Sequence, residues 1–252
     1  MKRLGLLLPV LIPLGLVPLG LVLAACSSAP PPIVDVPRAV GPAQGIDLPT
    51  DARDVSMELK GSRLDFVARY YRDPASRWPS LSAGEARMVS DAGMQLVAVW
   101  ESHSHRPDYF SYAAGYSDAM MAYRQAKAIG QPAGSAIYFA VDFNAQEADL
   151  WGAVDHYFRG VLNGFWAAAG GQGPQYRVGV YGSGAVCDYL KRARLAQYAW
   201  LSNSTAWSGY GSFTDWNIRQ GGRSPLLSFS HDSNEARGDY GGFRVTNQYS
   251  SL

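Results

Sequence analysis

Four carboxylates close or follow short apolar runs: Asp47 after Gly45-Ile46, Glu101 after Leu96-Val97-Ala98-Val99-Trp100, Asp142 after Ile137-Tyr138-Phe139-Ala140-Val141, and Asp232 after Leu226-Leu227-Ser228-Phe229-Ser230. One such acid has ordinary uses, as a helix N-cap or as the partner of a buried arginine such as Arg69. Four of them on one concave rim repel each other and should raise at least one pKa, a cost that a functional site explains. Paired carboxylates suit glycoside cleavage, in which one gives a proton to the leaving oxygen and the other, ionised, faces an oxocarbenium-like centre. Glu101, beside Trp100 at an apolar run's end, is the expected general acid, because a carboxyl kept from water holds its proton. Asp142 is the expected ionised partner, with Asp232 and Asp47 orienting or binding substrate.

Aromatic residues gather near the same ends: Tyr70, Tyr71, Trp100, Tyr181, Trp200 and Trp216. Sugar rings stack on such side chains, although large aromatics serve packing first. Tyr181, beside Gly182, is the one most expected to face a groove. The expected substrate-binding set is Arg69, Tyr70, Trp100, Tyr181, Trp200, Asn144, Gln220 and Asn234. A competing constellation is His103, His105 and His231 near Glu101 and Asp232, which would make a metal-dependent hydrolase. No strict spacing fixes a third ligand, so no metal site and no cofactor is expected.

Elements must bring these residues together. Short runs rich in Val, Ile, Tyr and Trp alternate with longer segments of helical spacing, a pattern of β-α units around a parallel sheet. Eight candidate strands end at 45–47, 66–70, 96–100, 137–141, 178–181, 198–201, 216–220 and 226–230. Between them, Ser82 and Glu85 form a capping box stopped by Gly93, and the apolar spacing from Tyr112 to Ile129 is terminated by Gly130 and Pro132. The segment 145–169 is the longest helical candidate. The runs are apolar on both faces, as for strands between a filled barrel and a coat of helices. The expected fold class is α/β, a (β/α)8 TIM-like barrel with irregular later units; an open doubly wound sheet is the alternative. In a barrel the four acids would share the rim at the strands' carboxyl ends.

The amino terminus reads as an export signal. Met1-Lys2-Arg3 is basic, Leu4 to Val22 is apolar, and Pro9, Pro13 and Pro18 disfavour a permanently spanning helix. Leu23-Ala24-Ala25-Cys26 resembles a bacterial lipobox, which implies a lipoprotein signal peptide over 1–25, acylation of Cys26 and a lipid anchor at the extracytoplasmic membrane surface. Ser, Pro and Ala then make 26–44 a flexible tether, leaving 45–252 as the domain. Formal charge is +1, near zero without Lys2 and Arg3, which argues against nucleic acid as a partner. With Cys26 acylated, Cys187 has no disulfide partner, so packing must hold a domain expected to be a monomer.

From Gly45 to about Ala236 the chain resembles a family of exported glycoside-hydrolase-like barrels of unknown function. The stretches that carry the resemblance are Gly45-Ile46-Asp47, Phe66-Val67-Ala68-Arg69-Tyr70-Tyr71, Ala136-Ile137-Tyr138-Phe139-Ala140-Val141-Asp142-Phe143, Tyr176-Arg177-Val178-Gly179-Val180-Tyr181-Gly182 and Asp232-Ser233-Asn234. Such proteins look like relatives of the family-25 lysozymes, which cut the β-1,4 link between N-acetylmuramic acid and N-acetylglucosamine. The resemblance implies a barrel, an acidic mouth and a cell-wall glycan as partner. Those lysozymes carry Asp-x-Glu after the fourth strand with Glu as proton donor, whereas this chain reads Asp142-Phe143-Asn144. Either Glu101 serves as the acid, giving a glycoside hydrolase, or the barrel is a non-catalytic glycan-binding pseudo-enzyme.

Overall fold

The computed structural model describes residues 39–228 and 230–246. The proposed leader, Cys26 and the tether up to residue 38 lie outside the described residues. Eight strands close a barrel in sequential order: β1 (Ala43–Asp47), β2 (Phe66–Tyr71), β3 (Gln95–Trp100), β4 (Ala136–Ala140), β5 (Arg177–Gly182), β6 (Tyr198–Leu201), β7 (Ile218–Ser224) and β8 (His231–Ala236). The helices are α1 (Ser56–Gly61), α2 (Ala83–Asp91), α3 (Tyr112–Ile129), the short α4 (Glu147–Asp149), α5 (Asp155–Ala168), which follows a π-helical turn at Leu150–Val154, and α6 (Gly184–Arg192). No helix among the described residues is long and apolar enough to cross a membrane.

Local chemistry explains the best-defined helices. Ser82 accepts from the Glu85 amide while the Glu85 carboxylate reaches back to the Ser82 amide, the expected capping box at the start of α2. Ser111 caps α3, and Gly130 closes it in the left-handed conformation at φ 82°.

Strands β1 to β7 pair in parallel, but β8 runs antiparallel to both β7 and β1. This corrects the expected eighth strand at 226–230. Residues 226–228 are bends in the β7–β8 connection, and the strand itself begins at His231. The physical reason is length: residues 225–230 can join two antiparallel strands, whereas a parallel crossover needs roughly a dozen residues. The irregularity expected of the later units is therefore a hairpin that closes the barrel. At the other end, β1 begins at Ala43 and the buried Ala39 packs into the same interior, so the packed body takes in residues ahead of Gly45.

Two apolar layers result. Inside the barrel lie Phe66, Ala68, Val97, Val99, Tyr138, Tyr198, Trp200 and Ile218; outside, between strands and helices, lie Val67, Tyr71, Leu96, Ala98, Trp100, Ile137 and Phe139. The alternation along each strand is the period-two geometry of the pleat. Two glycines make the interior possible. A Cβ on Gly45 would stand 2.5 Å from the Phe66 ring, and one on Gly179 would stand 2.5 Å from the Tyr138 ring. Small residues opposite large rings let the interior fill without overpacking.

Candidate active site

The rim is built by extending the inward positions of each strand by one or two residues. On β1 the last residue is Asp47; on β2 Tyr70 follows Ala68, and Arg72 comes next on the same side. Glu101 follows Val99 on β3, Asp142 follows Ala140 on β4, and Tyr181 follows Gly179 on β5. Gln220 of β7 and Asn234 of β8 are register partners, as are Asp232 and Asp47. Because β8 is reversed, Asp232 stands at its start and not beyond its end, yet still reaches the carboxyl-end rim of β1. The structure thus gathers Asp47, Glu101, Asp142 and Asp232 around one mouth.

Asp47 is buried and fully engaged. Its Oδ2 accepts from Asn234 Nδ2 at 2.7 Å and from Gln220 Nε2 at 3.1 Å, and its Oδ1 accepts from the Tyr70 hydroxyl at 3.1 Å. The network continues outward: Trp200 Nε1 donates to Asn234 Oδ1 at 2.8 Å, and the Tyr181 hydroxyl donates to Gln220 Oε1 at 2.9 Å. Burial raises the Asp47 pKa, opposed by the donors Asn234, Gln220 and Tyr70, with Asp232 adding a further push upward. Five of the expected sugar-contacting residues, Tyr70, Tyr181, Trp200, Gln220 and Asn234, thereby hold one another and Asp47 in place.

The other acids are differently placed. Burial lifts Glu101 to about 7, opposed by Arg72 and reinforced by Asp142 and Asp47. Trp100, the expected cause, is not responsible, since its indole belongs to the outer apolar layer; Trp100 is not on the rim. Asp142 is also raised by burial, with His105 opposing. Its main-chain amide donates to Ser104 O at 2.9 Å, tying the β4 end to the loop that carries His105.

Arg69 likewise lies on the helix side. It is fully buried in an ion pair with Glu85 of α2, and its Nη1 donates to Leu48 O at 2.8 Å. Glu85 also accepts from the Ala52 amide at 2.8 Å, so this pair ties β2 to the outer layer and does not face the mouth. The arginine that does face it is Arg72, which the sequence reading passed over; the signal was the period-two step Ala68, Tyr70, Arg72. Asn144 spends its Oδ1 on the Ser208 amide at 2.9 Å, a tie between two loops. Tyr71 is outside the barrel with its hydroxyl donating to Gln131 Oε1, and Trp216 lies 3.8 Å under the Arg237 guanidinium.

The histidines do not assemble. His103 packs on Tyr109 with ring centroids 5.1 Å apart, His105 neighbours Asp142, and His231 is buried at the outward-facing start of β8. Among the described residues no three His, Cys, Asp or Glu side chains are close enough to share a metal ion.

Comparison with known proteins gives the same fold. Residues 57–249 match the family model described as Rv2525c-like, glycoside hydrolase-like domain. Two uncharacterized Bacillus subtilis (strain 168) proteins are relatives. YbfG is 32% identical over 127 residues, 50% of this chain and 17% of that protein. FadG is 30% identical over 162 residues, 62% of this chain and 27% of that protein. The chain thus spans under a third of either relative's length. Among solved structures, the Tat-secreted protein Rv2525c of Mycobacterium tuberculosis, in complex with HEPES, has a TM-score of 0.66 at 19% identity, covering 80% of this chain and 99% of that one. The spore cortex lytic enzyme SleM of Clostridium perfringens has a TM-score of 0.53 at 12% identity, covering 77% of this chain and 67% of that one. At such identities the likeness is one of fold.

Proposed function

The chain belongs to the Rv2525c-like, glycoside hydrolase-like family, and on that premise we propose that it hydrolyses a cell-wall glycan of the peptidoglycan kind. The observation that carries the reading is Glu101: a half-buried carboxyl at the mouth, raised to about 7, facing Asp142 across neighbouring strand ends. Such a group is half protonated at neutral pH and can give its proton to a leaving glycosidic oxygen. Asp142, with His105 beside it, is the ionised group facing the developing positive charge. Asp47 and Asp232 shape and charge the floor. The lytic action in the name of SleM, whose barrel this chain shares, agrees with a wall polymer as target.

We place this activity outside the cytoplasm. Residues 1–25 act as a lipoprotein signal and the segment from acylated Cys26 to residue 38 as a tether to the barrel, whose packed body starts at Ala39, so that the domain is held at a membrane surface by lipid. That the structural relative Rv2525c is Tat-secreted agrees with export.

The second reading, a barrel that binds glycan without cutting it, is favoured by Asn144, which stands where a lysozyme-like loop would carry its proton donor and whose side chain is engaged with Ser208. One assay separates the two. Purified protein is incubated with peptidoglycan, and released reducing ends are compared with those from Glu101→Gln and Asp142→Asn. Hydrolysis by wild type, cut by about 10²- to 10⁴-fold in Glu101→Gln, is the expected outcome. No release by any of the three, with all still pelleting with the polymer, would hand the function to the binding reading.

A further inference from the structure

Arg72 is the cation of an otherwise acidic mouth, and its surroundings do not account for it. The residue is only 8% exposed. Its guanidinium lies over the Tyr70 ring, 4.3 Å from the centroid, an arrangement that fixes the plane and leaves the edge of the fork open. The main chain is clamped: the Arg72 amide donates to Ser80 Oγ at 3.1 Å, and Gln125 Nε2 donates to the Arg72 carbonyl at 2.7 Å. The guanidinium itself is poorly served. Nη1 makes one long hydrogen bond, 3.4 Å to the Glu101 carbonyl, and the buried Nε has no partner among the described residues. No carboxylate among them lies within ion-pair distance of it. The contrast with Arg69, three residues earlier and fully paired with Glu85, is direct.

A buried cation with unmade hydrogen bonds is costly. A rigid, stacked guanidinium fork matches a planar carboxylate, which it can grip through two parallel bonds. We propose that Arg72 is an anion subsite that takes a carboxylate borne by the sugar next to the cleaved bond. The inference rests on the glycan reading of the mouth and sharpens it: the substrate is a wall glycan whose sugar carboxylate is free and not amide-linked to a peptide. Asp142, Asp232 and Glu101 share the mouth, so an anion gains only where the Arg72 fork reaches it; elsewhere on the rim it is repelled.

The test uses a pair of ligands differing in one charge: the disaccharide of N-acetylglucosamine and N-acetylmuramic acid with its carboxylate free, and the same disaccharide as the methyl ester. Binding to the full chain is followed by calorimetry or NMR titration, so hydrolysis is not the readout. Wild type is expected to bind the acid about tenfold tighter than the ester. In Arg72→Gln the acid should fall to the ester's affinity, and Arg72→Lys, a point charge without the fork, should lie between. Equal binding of acid and ester by wild type, or a preference that survives in Arg72→Gln, overturns the subsite while leaving the glycan reading standing. Binding of neither by wild type overturns both. A thermal melt checks that each variant is folded, and equal binding of acid and ester by wild type overturns the subsite without any variant.

Discussion

The two sides of the mouth handle buried polar groups in opposite ways. Where β7, β8 and β1 meet, Asp47 accepts three hydrogen bonds, and its donors are themselves anchored by Trp200 and Tyr181. Where β2, β3 and β4 end, Glu101, Asp142 and Arg72 are buried or half-buried with almost no side-chain hydrogen bonds among the described residues. A satisfied network rigidifies, whereas charges deprived of partners stay poised to bind or to transfer a proton. The antiparallel hairpin is the scaffold of the mouth, and the parallel sector holds the underpartnered charges on which the proposed chemistry rests.

That contrast is broken most forcefully by removing the centre of the network. Asp47→Ala leaves the amides of Asn234 and Gln220 and the Tyr70 hydroxyl without their acceptor, and should cost about 2 to 3 kcal/mol of stability in urea unfolding. Asp142→Asn removes a carboxylate whose burial already disfavours its charge, and should stay within about 0.5 kcal/mol of wild type or gain slightly. Equal losses from the two variants would erase the distinction between the sectors.

How far this division was visible in the sequence depends on the strand. The parallel strands up to β6 are apolar on both faces because helices cover one side and the interior fills the other, and such runs announce themselves. β8 does not: His231-Asp232-Ser233-Asn234-Glu235-Ala236 is polar because the hairpin leaves much of it half-buried at the rim, so the apolar 226–230 drew attention instead. Asp232 reaches the rim all the same, since its strand starts where a parallel one would have ended. The choice of Arg69 over Arg72 and of Trp100 as a rim residue came from judging residues by neighbourhood in sequence. Counting alternate positions along β2 and β3 puts Arg69 and Trp100 outside, and Arg72 and Glu101 within. Side-chain pairing such as Arg69 with Glu85 depends on a helix sixteen residues away and carries no local signal.

Acidity offers a second way to sharpen the comparison. Glu101 is raised from 4.5 to about 7, so the folded state binds more protons than the unfolded chain between those values. Its contribution to stability is complete below about 4.5 and is lost as pH rises through about 7. Relative to Glu101→Gln, wild type should therefore lose about 2 kcal/mol between pH 5 and pH 8, measured by urea midpoints at each pH. Hydrolysis should decline over the same upper limb as the proton donor ionises. A wild-type profile parallel to that of Glu101→Gln would mean that water reaches this carboxyl freely, and the parallel sector would lose its claim to poised chemistry.

The smallest effect belongs to the link between the sectors. Tyr181 projects from β5, donates to Gln220 of the network and packs edge-on against Trp200 with centroids 5.3 Å apart. Removing only its hydroxyl in Tyr181→Phe should cost about 1 kcal/mol, because Gln220 Oε1 keeps a weaker donor in the Asn203 amide at 3.4 Å. Affinity for a glycan should change by less than about twofold, since the ring face that a sugar would stack on is untouched. Tyr181→Ala removes the ring as well, so a loss of glycan affinity confined to this variant would assign Tyr181 to both sectors at once. Equal affinities in Phe and Ala variants would make it a strut of the network and nothing more.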